Sequence, residues 1–393
     1  MSGRPIDLGD APVIDAHLHG FDAGELKRLD PEGWADRLTL MGMCFLSSKT
    51  TDRALEGRVR EMTDHTVFAL LARRWLARYL GCDVEQVEHE RSRRLSEDAK
   101  SYVSALLADE QIRELLVDDG YPLPAVDQHE LSELVGAAVH RVARIEPMIE
   151  AARAESSNAK ELEEAFRAQL AEAEDDGRCV AYKTIIAYRS GLDVGDPTDN
   201  EVEQSYRRWR EADWRDGRDT SKAVRDRLLN VTMEVASSGD GRPLHIHSGA
   251  GDPDCVLSHV RPTMLGPLLN RFSSHPVVLI HSGFPWIEEG AYLAALYPMA
   301  YVELSLFLPW VTLDADRVLR VVLGSVPGDK ILYGSDEASE PEVIWLSARL
   351  ARAALERVLG EAVAFDYLTE EEAGRLGRRV LAGNAAELHG IEA

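Results

Sequence analysis

The stretch APVIDAHLHG (residues 11–20) predicts a buried β-strand that ends in two histidines. Side chains alternate between the two faces of a strand, so His17 and His19, two residues apart, project to the same side. Two imidazoles held that close together form half of a site for a divalent metal ion. Taken alone, the pair is better explained as two polar loop residues. Whether the pair binds a metal ion therefore depends on whether the other strands supply the remaining ligands.

Seven further short segments rich in Val, Ile and Leu also predict strands. Together with the first, the predicted strands lie at about 12–18, 114–118, 139–145, 179–184, 243–247, 276–281, 300–305 and 330–335. Helical patterns occur at 147–173, 221–237, 286–297, 314–323 and 341–358. Apolar strands that alternate with helices indicate a parallel sheet covered on both faces. Eight such units predict an α/β fold of the (β/α)8 TIM barrel type.

One segment departs from this alternation. Residues 50–110 contain helical patterns and no strand pattern, so we expect a helical insertion after the first strand, over the barrel mouth or at an oligomer interface. Its run ARRWLARYL is typical of an amphipathic core helix. A second long connection, 190–220, is polar and follows the fourth predicted strand. Connections of that length are usually functional or mobile.

The composition limits the classes of partner. The chain of 393 residues has 44 Lys+Arg against 68 Asp+Glu, a formal charge of −24. An acidic surface argues against nucleic acid or an anionic membrane as the main partner, although a local basic pocket can still bind an anionic small molecule. The four cysteines form no CxxC pair, which favours reduced thiols. Because no signal core or membrane-length apolar run is visible, we expect a soluble cytoplasmic protein.

The ends of the predicted strands carry reactive side chains. In a barrel of this type the site lies at the carboxyl ends of the strands. In chain order, those ends supply His17 and His19, Lys183, His245 and His247, His281 and Asp336. Five of the 12 histidines fall at these positions, which chance placement would seldom produce.

Several motifs together resemble the amidohydrolase superfamily of metal-dependent (β/α)8 enzymes: VIDAHLHG, the lysine after strand 4, LHIHSG, VVLIHSGFP and LYGSDE. The closing GRRVLAGNAAELHGI resembles the last helix of its amidohydrolase-related (amidohydrolase 2) branch. The stretch CVAYKTIIAYRSGL and the helical insertion look most similar to the subgroup related to amidohydrolase domains fused to glutamine-synthetase-like proteins. The resemblance implies one metal-dependent hydrolase domain over residues 1–393, with the insertion at about 50–110.

The resemblance also implies a metal site. His17, His19 and His247 would bind one divalent ion together with Asp336, zinc in the first place and manganese or iron as alternatives. Asp336 would take a proton from the metal-activated water. His281 would polarise the substrate carbonyl or stabilise the developing oxyanion. An alternative role for Asp336 is to cap the helix that SDEASEPE opens.

Lys183 has two interpretations. In binuclear members of the superfamily, a lysine at this position is carbamylated and bridges two metal ions. We favour a single metal and an unmodified Lys183 that faces the substrate, where an ammonium can bind a carboxylate or lower a pKa. On this hypothesis Lys183 is a catalytic residue with Asp336 and His281.

Other candidates would contact the substrate. Arg189 and Tyr188 lie just past the fourth strand, where an arginine can bind a carboxylate with two hydrogen bonds or instead hold the long connection through a salt bridge. His245 either faces the substrate or packs in the core. Asp15 is expected to orient a metal ligand or the nearby backbone. Position at the barrel mouth adds Arg144, Glu303 and Trp286.

We therefore predict a hydrolase that cleaves the amide C–N bond of a small carboxylate-bearing substrate, such as a γ-glutamyl-type amide. A decarboxylase, a lactonase or an isomerase on the same scaffold is the alternative, because function depends on the pocket and not on the fold. A barrel that serves only as a binding partner is a third hypothesis. We also expect a homodimer or larger homo-oligomer.

Overall fold

The computed structural model describes residues 6–28, 30–40, 42 and 53–392. Eight parallel strands follow one another around the molecule: β1 Val13–His19, β2 Ile112–Asp118, β3 Ala138–Arg144, β4 Cys179–Thr184, β5 Leu244–His247, β6 Val277–Ile280, β7 Ala300–Glu303 and β8 Ile331–Leu332. Each strand pairs with the next. The segment after β8 returns to β1, since Ala16 N donates to Tyr333 O (3.0 Å) and Asp336 N donates to His17 O (2.8 Å). The predicted (β/α)8 barrel is confirmed.

Helices surround the strands in the described part of the chain. Their bounds are α1 Ala23–Arg28, α2 Pro31–Asp36, α3 Arg53–Thr63, α4 Val67–Leu80, α5 Val87–Asp109, α6 Gln128–Val135, α7 Ile145–Ala154, α8 Ala159–Asp175, α9 Ile186–Arg189, α10 Asp199–Glu211, α11 Lys222–Ser238, α12 Gly266–Arg271, α13 Ile287–Leu296, α14 Phe307–Trp310, α15 Ala315–Ser325, α16 Pro341–Ala364, α17 Glu370–Arg378 and α18 Asn384–His389. None of the helices found in these residues is long and apolar enough to cross a membrane.

The predicted helix over 147–173 is in fact two helices. α7 ends at Ala154 and α8 begins at Ala159, with Asn158 as its N-cap. The Asn158 side chain accepts a hydrogen bond from Glu161 N (3.0 Å). Ser156, Ser157 and Asn158 interrupt the pattern because short polar side chains compete for backbone hydrogen bonds and favour caps over helix interiors.

The insertion after β1 is helical, as predicted, although residues 50–52 lie outside the described residues. It contains α3, α4 and α5, and α5 packs against α6 and α16 as the barrel helix between β1 and β2. Phe68 of α4 contacts the ring of Trp310, with centroids 4.7 Å apart. Trp310 also lines the cavity described below, so α4 lies beside the barrel mouth.

An ion pair with both side chains fully buried joins the insertion to the barrel. Arg91 of α5 donates from Nε to Glu342 Oε1 of α16 (2.9 Å), and both side chains have 0% exposure. The Arg91 guanidinium also lies 5.4 Å from the centroid of the Trp34 ring. The pair therefore joins segments that are remote in the chain.

Replacing Glu342 with alanine should destabilise the protein by about 3–5 kcal/mol, because it breaks an ion pair whose two side chains are fully buried. Denaturant and thermal midpoints would measure the loss. Asp316→Ala is the matched control, since the Arg357–Asp316 pair is 53% and 26% exposed and should contribute at most about 1 kcal/mol. Equal effects of the two variants would contradict this prediction.

Candidate metal and substrate site

A cavity of about 370 Å³ opens at the carboxyl ends of the strands. Side chains from β1, β3, β4 and β5 and from the segments after β6 and β8 line it. The predicted site residues among them are His17, His19, Arg144, Lys183, Tyr188, Arg189, His247, His281 and Asp336. The barrel thus brings nine of the candidates together, at the end of the sheet where (β/α)8 enzymes carry their sites.

Three of these side chains form a compact group that could hold a metal ion. His17 Nε2 lies 3.1 Å and His19 Nε2 lies 3.6 Å from Asp336 Oδ1. One ligand atom from each of the three residues falls within 4.8 Å of the others. Asp336 does not cap a helix, because α16 begins at Pro341 with Glu340 as its N-cap. The N-cap alternative for Asp336 is therefore wrong.

The backbone that presents Asp336 is held in place by Asp15. Asp15 Oδ1 accepts hydrogen bonds from Ser335 N (2.9 Å) and His17 N (3.3 Å), so one carboxylate ties β1 to the segment after β8. Asp336 itself has φ 60°, a left-handed conformation that aspartate tolerates better than most residues. The expectation that Asp15 orients nearby backbone agrees with these contacts.

The hydrogen bonding of His17 fits a bound cation. Its Nε2 lies 3.1 Å from the Asp336 carboxylate and also 3.1 Å from Lys183 Nζ, while its Nδ1 is buried and has no partner among the described residues. Burial and the nearby Lys183 lower the pKa of His17 to about 4, so the ring is neutral at neutral pH. One neutral nitrogen cannot donate to the carboxylate and accept from the ammonium at the same time. A cation shared by His17, His19 and Asp336 removes this conflict.

His247 is close to the group but is not part of it. Its Nδ1 lies 3.1 Å from His281 Nε2, and its buried Nε2 has no partner in the described residues. Burial and Lys183 lower the pKa of His247 to about 3, so its ring is neutral. His281 Nε2 lies 3.9 Å from Asp336 Oδ2. The role of His247 as a ligand stays a prediction.

Lys183 and Arg144 form a buried pair of cations beside the histidines. They lie opposite each other on β4 and β3, and both face the cavity. Burial lowers the pKa of Lys183 to about 8. Arg144 Nε donates to both oxygens of the fully buried Asp118, at 2.8 and 3.1 Å. A Cβ on Gly120 would lie 2.0 Å from Arg144 Cδ, so the absence of a side chain at this glycine makes room for the arginine.

Tyr188 and Arg189 line the outer part of the cavity. The hydroxyl of Tyr188 accepts from Asp252 N (3.0 Å), and its ring centroid is 4.7 Å from that of His247. Arg189 Nε lies 3.6 Å from Asp216 Oδ2 in the long connection. Arg189 therefore has the contact of the salt-bridge alternative and also faces the cavity that a substrate would enter.

Three predicted substrate residues lie elsewhere. His245 is fully buried one layer deeper than His247, and its Nε2 is 2.9 Å from His389 Nε2 of α18, so core packing is the interpretation that the contacts favour. Glu303 is fully buried beneath His281. Trp286 stacks under the guanidinium of Arg261, 5.6 Å from its ring centroid. In each case the position in the chain indicated the correct end of the barrel but not the depth or direction of the side chain.

Sequence reasoning missed other side chains at the cavity. Asp118 ends β2 as His19 ends β1, so the rule that selected the histidines could also have selected it. Arg37 and Tyr121 line the cavity from loops, and Arg37 hydrogen-bonds to Ser339 and Glu340. No local pattern distinguishes these two residues, because their place depends on contacts between distant segments.

A barrel whose strand ends bring imidazoles, a lysine and a carboxylate to one cavity defines an enzyme of the (β/α)8 class. The family model Amidohydro_2, described as amidohydrolase, matches residues 200–391, about half of the chain. Residues 200–391 are therefore similar to this amidohydrolase family, and this similarity supports an enzyme of the amidohydrolase superfamily. The matched segment holds His247, His281 and Asp336.

Known proteins are similar to this chain in sequence or in fold. Protein fluG of Emericella nidulans is 32% identical over 233 residues, which cover 57% of this chain and 27% of that protein, so the chain spans about a quarter of that relative. A Lactobacillus casei protein assigned as a metal-dependent hydrolase shares the fold with a TM-score of 0.82, 23% identity and 98% coverage of both chains. Glucuronate isomerase of Caulobacter crescentus shares the fold with a TM-score of 0.67 and 16% identity, over 98% of this chain and 92% of the isomerase.

Proposed function

We propose that the protein is a metal-dependent hydrolase that cleaves the amide C–N bond of a small carboxylate-bearing substrate. The observation that carries the proposal is the group formed by His17, His19 and Asp336 beside Lys183. Two imidazoles and a carboxylate suit zinc, with manganese or iron as alternatives. A divalent ion held there would supply Lewis acidity and would acidify a water molecule.

Asp336 is the group that would move the proton. Burial alone would raise its pKa, but hydrogen bonds from His17 and His19 help to hold the pKa well below its ordinary value, so the carboxylate is charged and can accept a proton. It lies at the inner wall of the cavity, where it can pass that proton to the leaving nitrogen. The neutral rings of His17 and His247 are in the state that can donate a lone pair.

Charge in the cavity supports an anionic substrate. Lys183 forms no ion pair with a carboxylate among the described residues, and Arg144 is already oriented by Asp118 before a ligand arrives. Arg189 could add a second contact farther out. A carboxylate bound by these cations would leave an amide at the metal group, which supports a γ-glutamyl-type or similar amide.

The same metal group and cationic cavity also fit reactions other than amide hydrolysis. Glucuronate isomerase has a related fold, and a carboxylate-binding cavity would also suit a uronate or an aromatic acid. Isomerisation, lactone hydrolysis and decarboxylation are therefore the alternatives. Cytoplasmic location and homo-oligomerisation stay predictions.

Metal content and product analysis test the proposal. Protein purified without chelators should contain about one divalent ion per chain, and less in the His247→Ala variant. Release of ammonia or amine from a set of carboxylate-bearing amides would support the hydrolase. Release of carbon dioxide from aromatic acids would indicate a lyase instead of the hydrolase. Formation of a ketose from uronates would indicate an isomerase. Absence of metal even after zinc or manganese is added would overturn the proposal.

A further inference from the structure

A continuous hydrogen-bonded chain runs from the cavity into the barrel wall behind it. His247 Nδ1 is 3.1 Å from His281 Nε2, and His281 Nδ1 is 2.8 Å from Ser305 Oγ. Ser305 Oγ donates to Glu303 Oε2 at 2.6 Å. All four residues are buried, and only the two histidines line the cavity. The chain connects His281, on the segment after β6, to Glu303 at the end of β7.

Glu303, the acceptor at the end of this series of hydrogen bonds, determines the direction in which each of the other groups donates. Backbone amides can only donate, and Ser305 N donates to Glu303 Oε1 (2.6 Å) while His281 N donates to Oε2 (3.2 Å). Burial raises the pKa of Glu303 to about 8 even though these hydrogen bonds and the one from the Ser305 hydroxyl favour the ionised form, so the directions below apply above that pH, where Glu303 is a carboxylate. A hydroxyl that gives its one proton to Glu303 must accept from His281 Nδ1. His281 then carries its proton on Nδ1 and a lone pair on Nε2.

The backbone around Glu303 and His281 accommodates the contact between them. A Cβ at Gly334 would lie 2.2 Å from Glu303 Oε1, so the absence of a side chain there makes room for the carboxylate. His281 and Ser282 have φ 63° and 48°, left-handed values that are uncommon for residues with side chains. Such backbone persists where surrounding contacts hold it and is concentrated at functional sites. Ser282 Oγ donates to Glu303 O (2.7 Å) and so holds this turn against the end of β7.

We propose that Ser305 and Glu303 are positioning residues that hold His281 in the Nδ1–H tautomer, with the lone pair of Nε2 directed toward the cavity. The use of this lone pair at the metal group rests on the proposed function. A nitrogen with a lone pair cannot donate to a carbonyl or an oxyanion, so the role predicted for His281 from the sequence is replaced. His281 acts as an acceptor, either for His247 Nδ1–H or for a bound cation.

The test reads the tautomer directly. The full chain is labelled with 15N-histidine, and long-range 1H–15N spectra are recorded before and after chelator treatment, at a pH above the Glu303 pKa. The His281 signals are assigned by their loss in His281→Asn. We expect protonated Nδ1 and unprotonated Nε2 in the wild type, and a mixture of tautomers in Ser305→Ala.

Ser248→Ala is the matched control, because Ser248 is also buried and its Oγ donates to Ile280 O (2.8 Å) without touching the chain of hydrogen bonds. It should leave the His281 signals as in the wild type. Protonated Nε2 in the wild type, or the same tautomers in Ser305→Ala as in the wild type, would overturn the proposal.

Metal affinity gives an independent measurement. Partners that orient a metal-binding side chain typically change affinity by about 10- to 100-fold when they are removed. We expect a zinc affinity loss of that size in Ser305→Ala and Glu303→Gln, measured by competition with a chromophoric chelator, and recovery in Ser305→Thr, which keeps the hydroxyl. Losses no larger than in Ser248→Ala would contradict the proposal. The tautomer in chelated protein does not depend on the substrate, so its outcome is separate from that of the proposed function.

Discussion

Replacing Asp336 with asparagine is expected to lower kcat by about 10²- to 10⁴-fold, the range that general acid–base groups contribute. Asp336 Oδ1 lies 3.1 Å from His17 Nε2 and 3.6 Å from His19 Nε2, so the variant removes the proposed charged metal ligand and the group that would carry the proton. An amide is nearly the same size and keeps the packing. The loss should therefore appear in activity and in metal content, while the thermal midpoint of the chelated protein changes little.

Asp254→Asn is the control for the Asp336 variant. Asp254 also lines the cavity, but it makes no ion pair with the imidazoles in the described part of the chain. We expect normal metal content and a much smaller effect on kcat. Full activity of Asp336→Asn would contradict both roles assigned to Asp336.

Replacing Lys183 with methionine should lower kcat/KM for a carboxylate-bearing substrate by about 10- to 100-fold, because hydrogen bonds to charged groups contribute about 1.5–3 kcal/mol. Lys183 is fully buried, and its Nζ contacts His17 Nε2 at 3.1 Å. If Lys183 is an unmodified ammonium, the variant keeps about one metal ion per chain. If Lys183 is a carbamylated bridge, the wild type holds about two ions and the variant loses metal.

Lys330→Met is the control for the Lys183 variant. Lys330 is also buried, but its Nζ donates to Tyr297 O (2.9 Å) and to Ala294 O at the other end of β8 from the cavity. This variant should reduce stability without changing metal content or kcat/KM. Equal losses of kcat/KM in the two variants would show that the effect of Lys183→Met is not specific to the cavity.

Much of the fold and part of the candidate site could be predicted from residue patterns. The eight strands were placed within a few residues of their observed bounds, because alternating apolar side chains and strand length are properties of the local chain. The same local geometry placed His17 and His19 on one side of β1. Chain order then placed His247, His281 and Asp336 at the same end of the barrel, since every strand of a parallel barrel points the same way.

Local patterns could not predict depth or partners. His245 and His247 share a face of β5, yet one contacts His389 beneath the cavity and the other lines the cavity. Glu303 ends β7 but turns inward to His281 and Ser305. These outcomes depend on which layer of the barrel a side chain reaches and on what α18 and the neighbouring strands place there.

The sequence by itself determined the eight-stranded barrel and the residues available at the strand ends. Only the tertiary structure decided that Asp118 contacts Arg144, that Lys183 faces His17, and that hydrogen bonds join Glu303, Ser305 and His281. The physical reason is that strand periodicity acts over a few neighbouring residues, whereas hydrogen bonds and ion pairs are short-range contacts between strands far apart in the chain. Their partners are known only once strand register and side-chain direction are known together.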